Sequence, residues 1–179
     1  MIGAYFSHGP LRGEFRFDWR ASIPTTRSPA SGAETKTAAE RAAPHGLTAD
    51  ELGTIDSELF LAFVWQLAGR PTGAAPAWRR TRPLMVVVDN YSVHKSERVR
   101  QEQRSLAAAD VHLVYLPAYS PELSRIEPHW KVIKYHDLPQ RSYTSLGELK
   151  KAVETALAKR AVELRIDRST SAQLLQCTP

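Results

Sequence analysis

The chain has 179 residues, about one domain's worth, with 42% hydrophobic and 24% charged residues, a composition that excludes wholesale disorder. Lysine and arginine outnumber aspartate and glutamate by 24 to 19, and the resulting charge of +5 suits a polyanion such as nucleic acid without demanding one. The single cysteine, Cys177, excludes an internal disulfide and a structural zinc site, no run of about eighteen apolar residues occurs, and residues 1–10 lack a signal-peptide pattern, so the expectation is a soluble cytoplasmic protein with no membrane partner.

In chain order, residues 1–7 read as a short strand and residues 14–19 alternate polar with apolar. Gly9, Pro10 and Gly13 lie between them, and the whole predicts an antiparallel hairpin. Residues 21–53 are dominated by Ala, Thr, Ser, Pro and Gly and read as a flexible surface insertion. Asp56 can cap a helix whose apolar face is Leu59, Phe60, Phe63, Val64 and Leu67, ended by Gly69 and Pro71.

Leu84-Met-Val-Val-Val88 is a continuous, mostly β-branched run that predicts a strand buried on both faces. Residues 96–109 form a polar helix with Val99 and Leu106 on its thin inner face, and residues 111–116 form the next strand, stopped by Pro117. Strand, helix and strand in this order make a βαβ unit, with parallel strands and a right-handed crossover. Residues 121–137 read as a turn and then a helix. The last helix runs over about 146–164, opened by the capping-box pair Ser145 and Glu148, with Leu146, Leu149, Val153 and Leu157 as its stripe. Residues 165–179 read as a polar, frayed tail. The fold class is α/β, with one domain over 1–164.

Two acids stand out. Asp89 ends the first apolar strand, where open α/β sheets place ligands, although Asp-Asn also simply opens a turn. Glu127 precedes Pro128, which suits the first turn of a helix, and its plain reading is a solvated acid favoured by the helix dipole. Taken together, they offer the hard oxygen ligands that Mg²⁺ prefers. Both could reach the same sheet edge.

The residues around these acids carry a resemblance. Pro83-Leu-Met-Val-Val-Val-Asp-Asn-Tyr-Ser-Val-His94 and Val114-Tyr-Leu-Pro-Ala-Tyr-Ser-Pro-Glu-Leu-Ser-Arg-Ile-Glu-Pro-His-Trp130 resemble two blocks, in order, of the DDE-superfamily transposases, in the mariner-like group of bacterial insertion sequences. The blocks read V-V-x-D-N-x-x-x-H and L-P-x-Y-S-P-x-L-N-P-I-E-x-x-W. A weaker resemblance begins at Ile2-Gly-Ala-Tyr5, similar to the family's second strand, and reaches about residue 161, leaving out 21–53.

The resemblance implies a ribonuclease H-like fold, a mixed sheet flanked by helices, and metal-dependent DNA strand cleavage and transfer. Asp89 and Glu127 match the second and third catalytic, metal-binding carboxylates, and Asn90 and His94 match motif residues beside them. The implied cofactor is Mg²⁺ or Mn²⁺. The implied partners are DNA, as transposon ends and target, and a homo-oligomer or a full-length transposase, in a bacterial cytoplasm at the nucleoid. Lys95, Arg125, Lys131 and Lys134 are candidate phosphate contacts, and Arg79, Arg80 and Arg82 would add salt-sensitive affinity.

The sequence departs from the family pattern in two places. Ser124-Arg125 stands where the family has Asn-Pro. The family's first catalytic Asp lies upstream of the segment that residues 2–5 resemble, and Asp18, Asp50 and Asp56 do not replace it. The expectation is therefore a truncated, inactive domain that lacks the first strand. In that case the strand at 84–88 is left with an open edge, or residues 1–7 pair with it directly. The alternative is a non-catalytic remnant that binds DNA or a full-length transposase. Trp130 and Tyr135 are expected to pack in the core or along a helix, and His94 to act as a hydrogen-bonding partner rather than a metal ligand.

Overall fold

A computed structural model describes residues 1–23, 37–138 and 143–176, with side chains up to residue 165. Among the described residues it is an α/β chain of two small sheets and five helices, and it falls into two compact units. Met1 with residues 3–54 and 128–179 makes up the first, and Ile2 with residues 55–127 makes up the second. No helix among the described residues is long and apolar enough to cross a membrane. Cys177 lies outside the described residues.

In the first unit, β1 (Ile2–Tyr5) pairs with β2 (Phe15–Asp18). The hairpin is closed by Phe6 N–H to Glu14 C=O at 3.0 Å and Gly13 N–H to Phe6 C=O at 2.8 Å. Gly3 lets the Trp130 ring approach, because a Cβ at this position would stand 2.8 Å from Trp130 Cζ2. The aromatic residues of β2, Phe15 and Phe17, pack with Trp130 and Leu138 against a buried group of Ile133, Val153, Ala156 and Leu157. Val153, Ala156 and Leu157 come from α5 (Leu146–Gln176), Val153 and Leu157 on the stripe that the sequence predicts and Ala156 beside it. Ser145 Oγ accepts the Glu148 N–H at 3.2 Å, but the Glu148 carboxylate reaches back to the Thr144 N–H at 3.0 Å, one residue further than a capping box requires.

Two sequence expectations fail in this unit. The segment read as an unstructured insertion is folded over 37–53: α1 (Ala38–Ala42) carries a full capping box from Thr37 and Glu40, and two single 3₁₀ turns follow it. Ala21, Ala42 and Leu47 form a small core with Trp19, Leu52 and Leu146. Small residues conceal this core in the sequence, since Ala and a lone Leu give no periodic stripe. Residues 24–36 lie outside the described residues. The last helix also does not stop near 164 but continues to Gln176, because residues 166–176 include no Gly or Pro to break it.

A close approach of backbones fixes this small core to α5. A Cβ on Gly147 would lie 2.3 Å from the Gly46 carbonyl oxygen, and Gly46 itself has φ of 67°. Lys150 pairs with Glu51 beside it. That hydrogen bond is the main cause holding the Glu51 carboxyl below its ordinary range and the Lys150 ammonium above its own.

In the second unit, α2 (Ser57–Leu67) is capped by Asp56, whose carboxylate accepts the Leu59 N–H at 2.9 Å. β3 (Leu84–Val88) pairs in parallel with β4 (Val111–Tyr115), from Leu84 opposite Val111 to Val88 opposite Tyr115. α3 (Glu97–Ala108) makes the crossover, capped by Ser96, with Val99 and Leu106 buried as expected. Asp110, at φ 58°, turns the chain from α3 into β4. The core is Phe60, Leu61, Val64, Val88, Val99, Leu106 and Val111, packed under Leu84, Val86, Leu113 and Tyr115.

The expectation that β3 is buried on both faces is wrong. Leu84, Val86 and Val88 face α2 and α3, whereas Met85 and Val87 are 58% and 56% exposed and Val114 beside them is 38% exposed. Both helices of this unit cover the same side, and a continuous apolar run does not reveal that. The pairing of residues 1–7 with 84–88 is not formed either: the two sheets are separate, β1 with β2 and β3 with β4.

Candidate functional site

The parallel pairing of β3 and β4 brings two chain reversals to one end of the sheet. Asp89 and Asn90 follow the last residue of β3, and Leu116 and Pro117 follow β4. The ladder runs one bond past the strands, from Leu116 N–H to Val88 C=O at 2.9 Å. The Asn90 side-chain amide then donates to the Leu116 carbonyl at 2.7 Å, tying both strand ends together. Asn90 therefore has a defined task, which is to satisfy a carbonyl that the ending ladder leaves open.

Asp89 is exposed, at 65% of its side chain, yet it is not free to rotate. Its Oδ1 accepts the Tyr91 N–H at 3.0 Å, an Asx-type turn, and faces His94 Nδ1 at 2.9 Å. Among the described residues, Oδ2 has no hydrogen-bond partner. The His94 ring is only 16% exposed. It lies 4.4 Å from the Phe60 ring, tilted by 33°, with the Tyr91 ring edge-on at 5.8 Å. A short 3₁₀ turn, Ser92–Lys95, carries it. The Tyr115 hydroxyl fixes that turn by donating to the His94 carbonyl at 2.7 Å, and Gln103 Nε2 supports the hydroxyl at 3.3 Å. The Ser57 hydroxyl donates to Ser96 Oγ at 2.7 Å, joining the starts of α2 and α3.

Glu127 is the first residue of α4 (Glu127–Val132), reached from β4 through a 3₁₀ turn at Pro121–Leu123. Its backbone N–H donates to the Ser124 carbonyl at 3.2 Å, so the Ser-Arg pair at 124–125 still makes a turn. Its carboxylate is exposed and has no hydrogen-bond or ion-pair partner among the described residues. A helix start favours the negative charge.

Of the sequence-predicted site residues, the structure brings Asp89, Asn90 and His94 into one corner at the end of β3. Glu127 follows from the same end of β4. Lys95 and Arg125 belong to the same unit and are exposed, with Lys95 Nζ 6.0 Å from the Tyr115 ring centre. Lys131 and Lys134 are exposed in the helix that continues from Glu127 and belong to the other unit.

Two of the three loop arginines are engaged in structure. Arg79 forks onto Asp110 Oδ2, with Nε at 3.1 Å, and Arg80 donates to the Ala68 and Arg82 carbonyls. Trp130 packs as expected, but Tyr135 does not: it is 62% exposed, with Lys134 Nζ 5.2 Å from its ring centre. The turn of π-helix over Ile133–Asp137 turns Ile133 inward and leaves Tyr135 outside.

Sequence reasoning missed Phe60, Tyr91 and Tyr115. Phe60 stood in a helical stripe and read only as core, and Tyr115 as a strand residue. A tyrosine at the last position of a strand, with a polar loop beyond, was the available signal, because a half-buried hydroxyl needs a partner.

The donor set is two carboxylates. Both are hard oxygen ligands, matching Mg²⁺ in kind. Among the described residues, no group of three or more His, Cys, Asp or Glu side chains could hold a metal ion.

Comparison with known proteins gives one positive result. A family model described as DDE superfamily endonuclease matches residues 38–150. The match includes β3, the Asp89 corner, β4 and Glu127, and starts inside the segment first read as an insertion. No curated protein and no solved structure matches the chain.

Proposed function

Because the chain belongs to the DDE endonuclease superfamily, we propose that it is a transposase-type domain with two of the acids of a metal-dependent DNA cleavage site, Asp89 and Glu127. The observation that supports this most is the Asp89 corner: a carboxylate at the end of a parallel strand, held on one oxygen by His94 and backed by Asn90 across the strand ends. On this reading the fold class is ribonuclease H-like. A bound Mg²⁺ or Mn²⁺ would polarise a phosphate oxygen and lower the pKa of a bound water. Asp89 and Glu127 would hold the ion, the Asx turn and His94 would orient Asp89, and Lys95, Arg125, Lys131 and Lys134 would meet the DNA phosphates.

The same reading makes the isolated chain a weak or inactive nuclease. In-line displacement with two ions roughly 4 Å apart needs more carboxylate than these residues supply. The test is plasmid nicking by the pure full chain with Mg²⁺ or Mn²⁺, alongside DNA binding at several salt concentrations. Salt-sensitive DNA binding with little nicking is expected. Robust nicking that Asp89→Ala abolishes would overturn the inactivity, and affinity unchanged by salt would overturn the phosphate contacts.

A further inference from the structure

We propose that His94 is a positioning residue for Asp89: seated on Phe60, it commits Oδ1 to the protein and leaves Oδ2 as the one oxygen offered to a divalent cation. This rests on the reading of Asp89 as a metal ligand.

His94 Nδ1 faces two acceptors, Asp89 Oδ1 at 2.9 Å and the Asp89 backbone carbonyl at 3.4 Å. Two oxygens cannot share a nitrogen lone pair, so Nδ1 carries a proton and donates. Oδ1 also takes the Tyr91 N–H at 3.0 Å. With two donors on Oδ1 and none on Oδ2, rotation about the Cβ–Cγ bond would break both bonds, which fixes the carboxylate plane.

The ring that supplies one donor is itself fixed from two sides. Phe60, 3% exposed in the core, lies 4.4 Å beneath it, and the Tyr115 hydroxyl holds its backbone carbonyl at 2.7 Å. α2 and β4 thus determine where an exposed acid points. A carboxylate fixed this way binds an ion through one oxygen without first giving up its own rotation. Partners that orient a ligand in this manner are commonly worth about 10–100-fold in metal affinity.

Two measurements on the full chain test the proposal. The first is long-range ¹H–¹⁵N NMR of the histidine rings without metal. A protonated Nδ1 on His94, whose signal shifts in Asp89→Asn, is expected, and a bare Nδ1 would overturn the proposal. The second is Mn²⁺ affinity, read from the EPR signal of free Mn²⁺. His94→Leu keeps the packing on Phe60 and removes the donor, and it should weaken Mn²⁺ by about tenfold or more. His94→Asn replaces Nδ1 with an amide donor and should restore the affinity.

Phe60→Leu, which keeps an apolar core residue and removes the ring beneath His94, should weaken Mn²⁺ in the same direction and serves if His94→Leu does not fold. If Asp89→Ala loses Mn²⁺ while His94→Leu and Phe60→Leu bind as the native chain does, positioning by His94 is wrong and Asp89 remains a ligand. If Asp89→Ala binds as the native chain does, the metal reading fails and this proposal fails with it.

Discussion

At the end of β3 the Asp89 carboxylate is held by a backbone N–H and a histidine, and the histidine by an aromatic ring and a hydroxyl-anchored turn. At the start of α4 the Glu127 carboxylate is held by nothing among the described residues; only its backbone is fixed. Both acids are exposed, so exposure does not distinguish them. The difference lies in their surroundings: Asp89 follows a strand that runs along a packed core, whereas Glu127 follows a loop with no buried residue between Pro117 and Ile126. One acid is preorganised and the other can adapt.

The support of Asp89 starts in the core, at Phe60. Phe60→Ala should have the largest effect, about 3–5 kcal/mol lost in urea unfolding, as a buried aromatic is removed. It should also free the His94 ring, visible as line broadening of that histidine in NMR. Unchanged stability would mean that the ring is not part of the core. Asn90→Ala leaves the Leu116 carbonyl without its donor and should cost about 1–2 kcal/mol, checked by the same unfolding curve.

Next come the two acids themselves, compared without metal. Asp89→Asn loses charge-assisted bonds and should cost about 1 kcal/mol, while Glu127→Gln should stay within about 0.5 kcal/mol of the native chain. Equal costs would erase the distinction between them.

The smallest effect is read against pH and contrasts His94 with the other packed histidine. His129 lies 4.4 Å from the Tyr5 ring and 5.3 Å from Phe15, and burial, with Arg160 adding to it, lowers its pKa. The unfolded chain then binds a proton that the folded chain refuses. Stability should therefore fall as pH drops below about 6.5, the ordinary histidine value, and level off below the depressed one. His129→Gln should remove that part of the slope, and an unchanged slope would assign it to other groups.

The sequence pattern was a good guide where one rule acted alone. The β-branched run at 84–88, the Ser96 and Asp56 caps and the Val99 and Leu106 stripe all formed as their chemistry predicts. It was a poor guide where the outcome depended on what lay across from a residue. Whether Val87 is covered depends on where α2 and α3 pack, and no pattern within β3 carries that information. Ala42 and Leu47 form a core only because Leu146 and Ala21 meet them. Likewise, the motif placed His94 near Asp89, but its support by Phe60 is a contact between residues 34 positions apart in sequence and was not legible.

The parallel β3–β4 pairing has a kinetic consequence. The contact that closes the Asp89 corner, Asn90 to Leu116, spans only 26 residues, whereas Lys150 and Glu51 in the other unit are 99 apart. Short loops close at lower entropic cost, and contacts local in sequence form sooner. During synthesis, the strand–helix–strand carrying Asp89 is complete before α5 has left the ribosome. The corner that orients the acid can thus assemble early, while the packing of the hairpin and the 37–53 segment on α5 waits for the end of the chain.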